Sequence, residues 1–180
     1  MDYFLLTYNL TKATGKLDNL TDGAYFCDSL PITSWNINLP ALTNGSHMFQ
    51  NCSTLMNFTS DLSTLTNGSL MFELCASLTS FTGGLPVLTN GHGMFSHCTS
   101  LTSFSGALPK MTNGAYMFDK CKLNLASVQN IADTINDLAA QNKTGKITIG
   151  MQKAIQGNEE LATALATIRN KGWTVTEQYN

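Results

Sequence analysis

Residues 75–98 read CASLTSFTGGLPVLTNGHGMFSHC, and this stretch decides the fold. Its turn Leu88-Thr89-Asn90-Gly91 recurs every 23 residues, at turns that open with Leu42, Leu65 and Met111. A Met-Phe-x-x-Cys segment follows each turn and ends at Cys52, Cys75, Cys98 and Cys121. A fixed period of about 20–50 residues is typical of a solenoid, in which each unit buries its apolar side against its neighbours.

One segment of each unit predicts a short β-strand. Residues 78–83 alternate polar and apolar side chains around Phe81, as a strand with one buried face does. The matching strands are centred on Trp35, Phe58 and Phe104, and side by side they form a parallel sheet with a spacing of about 4.8 Å.

The rest of the unit predicts turns and ladders. The Asn-Gly pairs indicate turns, since both residue types tolerate positive φ. The segment that ends at each cysteine predicts one helical turn on the opposite wall. The periodic threonines predict a hydrogen-bonded ladder: Thr21, Thr43, Thr66, Thr89 and Thr112.

The repeat ends after Cys121, and helical periodicity begins. Val128, Ile131, Ile135 and Leu138 share one helical face, and residues 146–150 then predict a strand. Asn158 is suited to cap a second helix, Gly172 to end it, and residues 173–179 predict a last strand. We expect these strands to extend the sheet of the repeats and the helices to close the solenoid.

The frame seen from Cys75 to Cys98 resembles the BspA-like leucine-rich repeats, over residues 1–124. It departs from that frame at Ser29, which stands at the cysteine position of a unit with Tyr25-Phe26 in place of Met-Phe. The tail is similar to C-terminal segments of leucine-rich-repeat proteins from gut bacteria and their phages, through Thr148-Ile149-Gly150 and residues 171–175.

The resemblance implies an α/β solenoid, a short right-handed leucine-rich-repeat superhelix with a parallel β-sheet on one face. Residues 1–124 form the solenoid, which starts in the middle of a repeat, and residues 125–180 form a continuous helix-strand-helix-strand cap. The resemblance also implies adhesion or protein interaction rather than catalysis, in an extracellular, cell-surface or virion setting.

Composition excludes several classes of function. Charged residues make up 12% of the chain, against about 25% in ordinary soluble domains. The net charge of -2 leaves no basic patch for nucleic acid, and no run of 18 apolar residues predicts a membrane span. The start of the chain lacks a signal-peptide pattern, so either this export route is not used or the signal has been removed.

The cysteines and histidines predict no catalytic, metal or cofactor site. One unit position holds Cys52, Cys75, Cys98 and Cys121, so these residues should stack as a column of buried free thiols. Such a column is not a zinc site, because zinc needs four converging ligands. Cys27 lies outside that column and is expected to be the most exposed thiol. The histidines are interpreted as surface residues: His47, His92 and His97. The sequence thus predicts a protein that is not an enzyme.

The outward positions beside each buried strand aromatic predict a recognition face. This strand face consists of small polar residues: Ser34, Asn36, Asn57, Thr59, Ser80, Thr82, Ser103 and Ser105. Its functional interpretation is a contact surface for a protein or cell-surface ligand. The alternatives are simple solvation of the sheet, weak carbohydrate binding, and a structural subunit that assembles through its ends.

The N-terminal end is unusually apolar for the end of a solenoid, which normally needs a polar cap. Tyr3, Phe4, Leu5, Leu6 and Tyr8 predict either an end that contacts a partner, including a second copy of the chain, or a chain trimmed from a longer parent protein.

Overall fold

The computed structural model describes residues 16–180 as a stack of repeating rungs with parallel pairing between neighbours. Tyr3, Phe4, Leu5, Leu6 and Tyr8 lie outside the described residues. One wall carries four two-residue strands: β1 (Ser34–Trp35), β2 (Asn57–Phe58), β3 (Ser80–Phe81) and β4 (Ser103–Phe104). β1 pairs with β2 and β3 with β4, in parallel and in register. The four predicted strand positions are confirmed, but the single sheet predicted for them is wrong, because β2 and β3 do not pair.

The opposite wall is built from tight turns, and the prediction of a helical turn there is wrong. One set of amide N–H groups closes turns within the rung, such as Cys52 N to Phe49 O at 3.2 Å. The alternate set donates to the next rung, such as Phe49 N to Met71 O at 2.8 Å. A continuous helix would direct every N–H along its own axis, so it could not link the rungs. We call this surface the turn wall.

The glycine of each Asn-Gly pair lies in tight packing and not at a positive φ. Gly45 and Gly68 do not have a positive φ, and neither do the asparagines that precede them. A Cβ on Gly45 would lie 2.9 Å from the Met71 sulfur, a side chain of the next rung. Left-handed backbone occurs instead at non-glycine residues of the turn wall, among them Tyr25, His47 and Tyr116.

Two side-chain ladders connect the rungs along the turns. The predicted threonine ladder is confirmed, since each hydroxyl donates to the preceding threonine carbonyl, as Thr66 does to Thr43 at 3.0 Å. A second ladder joins the asparagines, as when Asn67 Nδ2 donates to Asn44 Oδ1 at 2.9 Å. The sequence predicts only turns at these asparagines, and their ladder is apparent only in the structure.

Replacing Asn67 with alanine is expected to lower the free energy of unfolding by about 2 kcal/mol, because three hydrogen bonds are lost. Its side chain donates to Asn44 and accepts from Asn90 Nδ2 and Ser69 N. Urea unfolding followed by circular dichroism measures the change. Asn36→Ala is the matched control, because within residues 16–180 the exposed Asn36 side chain has no hydrogen-bond partner. Equal midpoints for the two variants would show that the ladder contributes nothing.

Aromatic side chains fill the interior as two stacked columns. The rings of Phe49, Phe72, Phe95 and Phe118 follow one another at centroid distances of 5.4–5.6 Å and lie nearly parallel. The strand aromatics form the second column and meet the first edge-on, as Phe58 meets Phe72 at 4.8 Å. Each ring is therefore buried only when the neighbouring rungs are present, which ties the stability of one unit to the next.

The prediction that Cys27 is the most exposed thiol is wrong, because Cys27 is fully buried. Cys27 N donates to Met48 O just as Phe49 N donates to Met71 O, so Cys27 occupies the phenylalanine position of its rung. Phe26-Cys27, rather than Tyr25-Phe26, corresponds to Met-Phe. Leu30 takes the cysteine position predicted for Ser29, and the residue that this unit lacks falls between Leu30 and Ile32.

Helices and longer strands follow the fourth turn. The elements are β5 (Gly114–Leu123), α1 (Leu125–Thr134), β6 (Gly145–Met151), α2 (Glu159–Asn170) and β7 (Trp173–Tyr179), with short 3₁₀ helices at Ala139–Gln141 and Lys153–Ile155. Asn124 and Asn158 cap the two α-helices through bonds to Ser127 N and Leu161 N. Gly172, with φ of +89°, follows the second helix.

The expectation that the tail strands extend the sheet of the repeats is wrong, because they continue the turn wall. β5 is the last of the five turn-wall segments, and the sheet runs β5-β6-β7, all parallel. Helix α1 lies instead beside β4, where Ser127 Oγ accepts from Phe104 N at 2.9 Å. Parallel pairing thus occurs on both walls. Because β5 is folded into turns, its four-residue step from Gly114 to Phe118 lies beside a step of only two residues in the extended β6.

Candidate interaction surface

The strand face presents its predicted polar side chains in register across the rungs. Ser34 lies beside Asn57 and Ser80 beside Ser103 in the parallel pairs. Six of the eight residues are exposed, and Ser34 and Ser103 are half-buried. Their arrangement follows from the alternation of the strands, since the aromatic side chain between them points into the core.

The hydrogen-bonding groups of the strand face are free. Within the described part of the chain, none of the eight side chains has a hydrogen-bond partner. The threonines and asparagines of the turns differ, because the two ladders engage them. The repeat therefore contains two classes of polar residue, one that holds the rungs together and one that faces solvent.

A second surface, which the sequence pattern did not predict, lies on the turn wall. We call it the turn-wall column: Tyr25, His47, Leu70, Gly93 and Tyr116. All five have φ of +57 to +59°, a conformation that costs a bulky side chain about 1 kcal/mol or more. The tyrosines at its two ends are 58% and 59% exposed. The Tyr25 and His47 rings stack at 4.4 Å, and His92 meets Tyr116 edge-on at 5.6 Å.

A signal for this column is present in the repeat. Its members directly precede the Met-Phe position, and this position holds four different residue types within an otherwise constant frame. Glycine would be the least strained choice throughout, as at Gly93. The bulky residues at the other four positions carry aromatic and apolar side chains to the surface.

The histidines lie on the turn wall, and the rings of His47 and His97 are hydrogen-bonded there. The His47 ring bonds to Gln50 Oε1 at 2.8 Å, and Gln50 donates in turn to Glu73. His97 Nδ1 bonds to Ser96 Oγ at 2.9 Å and lies 3.8 Å from the Asp119 carboxylate. In residues 16–180 no group of three or more His, Cys, Asp or Glu side chains is arranged to hold a metal ion.

The cysteine column consists of buried free thiols, as predicted. Each thiol of the column donates to a backbone carbonyl of the preceding rung, as Cys98 Sγ does to Phe72 O at 3.0 Å. Burial raises the pKa of every one of these thiols, that of Cys52 to about 12. A nucleophilic cysteine needs a lowered pKa and access to substrate, so this chemistry favours a packing role.

Comparison with known proteins identifies the repeat. A family model described as the BspA type leucine-rich repeat region matches residues 21–146 with six copies. The match runs from the first described turn into the start of β6. A search of curated proteins found no significant match, and a search of solved structures found none either.

Leucine-rich-repeat regions of this type are generally non-enzymatic modules that mediate protein interactions, and they are commonly associated with cell surfaces. Among the described residues, no helix has both the length and the apolar character needed to cross a membrane. The family match covers well over half of the chain. The chain belongs to the BspA-type leucine-rich-repeat family.

Proposed function

We propose that this chain is a non-catalytic recognition module that binds a protein or cell-surface ligand through its strand face. Its setting in this proposal is a bacterial surface protein or a phage structural protein, at the cell surface or on the virion. The observation that carries the proposal is the free hydrogen-bonding capacity of the eight strand-face residues. The threonines and asparagines of the two ladders are bonded between rungs, whereas the strand-face side chains are left toward solvent.

The chemistry of the strand face favours many weak contacts over one strong anchor. Its side chains are Ser, Thr and Asn, whereas binding hot spots are enriched in Trp, Tyr and Arg. Each hydrogen bond to such a group is worth about 1 kcal/mol net, so useful affinity needs contacts along several rungs. A ligand with a repeated or extended surface fits this requirement.

Cell binding tests the proposal. The fluorescently labelled chain is applied to bacterial and epithelial cells, with or without prior protease or periodate treatment of the cells. Sensitivity to protease indicates a protein ligand. Sensitivity to periodate indicates the carbohydrate alternative.

The double variant Ser80→Arg, Thr82→Arg is expected to weaken this binding at least about tenfold, because two bulky charges block the centre of the face. The double variant Ala140→Arg, Ala154→Arg adds the same two charges at exposed positions of the C-terminal region and serves as the control. Tyr116→Ser removes an exposed aromatic side chain of the turn-wall column. Loss of binding in Tyr116→Ser, with full binding in the strand-face variant, would contradict the proposal and indicate the turn wall instead.

A further inference from the structure

Strand β7 has one free edge. On its inner side it pairs with β6 over seven consecutive residues without a register shift. Within residues 16–180 no strand pairs with its outer side. The even-numbered residues direct their backbone groups toward β6, since Asn180 N donates to Met151 O and Gly172 O accepts from Gly145 N. The outward N–H and C=O groups therefore belong to Trp173, Val175, Glu177 and Tyr179.

The usual protections of an exposed edge are missing from β7. Proteins avoid edge pairing with prolines, lysines, bulges or very short edge strands. β7 has no proline, glycine or lysine, and its pairing with β6 is regular. Its single charge, Glu177, is already paired with Arg169 of α2. Such an edge is suited to accept another strand.

We propose that β7 pairs antiparallel with β7 of a second copy of this chain, around a two-fold axis at Thr176. Val175 then faces Glu177 of the second copy, and Trp173 faces Tyr179. These are the residues with outward backbone groups, so each such pair exchanges two hydrogen bonds. Thr176 faces itself across the axis. The register places no like charges opposite each other along the strand.

Helix α2 fits the same two-fold arrangement. It connects β6 to β7 and packs on the face of the sheet that carries the buried Trp173. In the dimer, the two copies of α2 are separated by two strand spacings, about 10 Å, which is the distance at which helices pack. The side of α2 away from α1 carries two exposed small residues, Ala162 and Ala166, which permit that approach.

Charges on α2 are complementary in this arrangement. The helices run antiparallel, so the axis that sets Ala162 against Ala166 of the second copy also brings Glu159 near Arg169 of the second copy. Both charged residues are exposed, and opposite charges across an interface favour the correct register. The free edge of β7, the spacing of the α2 helices and their charges all fit a second copy of this chain as the partner.

Dimerisation would also join two strand faces in one particle. Linked weak sites bind a repeated surface far more tightly than single sites do. The dimer itself does not depend on the proposed function, since it can form whatever the strand face binds.

Sedimentation velocity of the full chain tests the dimer, over concentrations from about 1 to 200 μM. The wild-type chain is expected to form dimers. Thr176→Glu and Thr176→Lys are each expected to weaken dimerisation at least about tenfold, because they place like-charged side chains opposite each other on Cα atoms that are roughly 4.5 Å apart. An equimolar mixture of the two variants should restore the dimer, because opposite charges then meet. The control Thr82→Glu, on the strand face, should leave dimerisation unchanged.

Three outcomes would overturn the proposal: a wild-type monomer throughout the range, dimers in both Thr176 variants, or no restoration in the mixture. Thr176 is exposed, so its variants should keep the wild-type circular dichroism spectrum. If either Thr176 variant fails to fold, Val175→Pro replaces it, since proline there removes an outward N–H and leaves the bonds to β6 in place. A dimeric Val175→Pro variant would likewise overturn the proposal.

Discussion

Raising the pH from about 8 to about 10 is expected to unfold this protein, because its five thiols are buried. In the unfolded chain a thiol has a pKa of about 8.5. Burial raises the pKa of all five folded thiols, so only the unfolded state releases their protons in this range. Stability is therefore unaffected below the unfolded pKa and falls as the pH rises above it.

The expected size of this effect is large. Each thiol contributes a loss of roughly 1 kcal/mol per pH unit above its unfolded pKa. Five thiols together remove on the order of 5 kcal/mol per unit, and a typical domain has only about 5–15 kcal/mol in total. Urea unfolding at a series of pH values gives the slope, and the ultraviolet absorbance of thiolate reports ionisation at the same time.

Cys98→Ala is the matched variant for the alkaline transition. It removes one of the five protons, so the slope of unfolding free energy against pH should fall by about one fifth. Thiolate absorbance and loss of ellipticity should appear together in the wild-type chain. Thiolate that appears while the ellipticity is still native would mean that the thiols ionise within the fold, and it would contradict the prediction.

Gly150→Ala is expected to lower the free energy of unfolding by at least about 3 kcal/mol. Gly150 lies in β6, where that strand passes the folded turns of β5. A Cβ there would lie 2.5 Å from Phe118 O, 2.6 Å from Cys121 O and 2.7 Å from Cys121 N. All three atoms belong to the backbone, so no side-chain rotation relieves the overlap, and the sheet β5-β6-β7 must separate locally.

Gly84→Ala is the control for this steric effect. The nearest atom to a Cβ on Gly84 is Pro86 Cδ at 3.8 Å, an ordinary contact. Neither glycine has a positive φ, so the pair isolates overlap from backbone strain. Gly84→Ala should change stability by less than about 0.5 kcal/mol, measured by the same urea titration. Similar losses in both variants would mean that the close approach of β6 to β5 is not the cause.

The periodic features of the fold could be predicted from the sequence. Residues one period apart must stack when the rungs stack, so Thr66 lies beside Thr43 and Cys98 near Cys75 whatever the details of the turn. The strands around Trp35, Phe58, Phe81 and Phe104 followed from alternation, and the small polar side chains of the strand face followed from the same rule.

Predictions failed where the local sequence permits more than one alignment. The sequence predicts an exposed Cys27 because Tyr25-Phe26 resembles Met-Phe. Backbone hydrogen bonds that continue from the Asp22-Gly23 turn fix the register one residue later, and they place Cys27 in the core. The same register places Tyr25 on the surface, in the turn-wall column. A one-residue error in alignment therefore predicts the wrong environment for both Cys27 and Tyr25.

By itself, the sequence determined the period, the solenoid, the core positions and the polar strand face, because a 23-residue repeat fixes which side chains stack. Only the tertiary structure decided which wall the C-terminal strands join and where β7 is left open. That choice depends on how the extended β6 fits the folded turns of β5, with Gly150 against the backbone of Cys121. This fit depends on contacts between backbone atoms of residues that are far apart in the sequence. The periodicity of side chains along the chain does not predict such contacts.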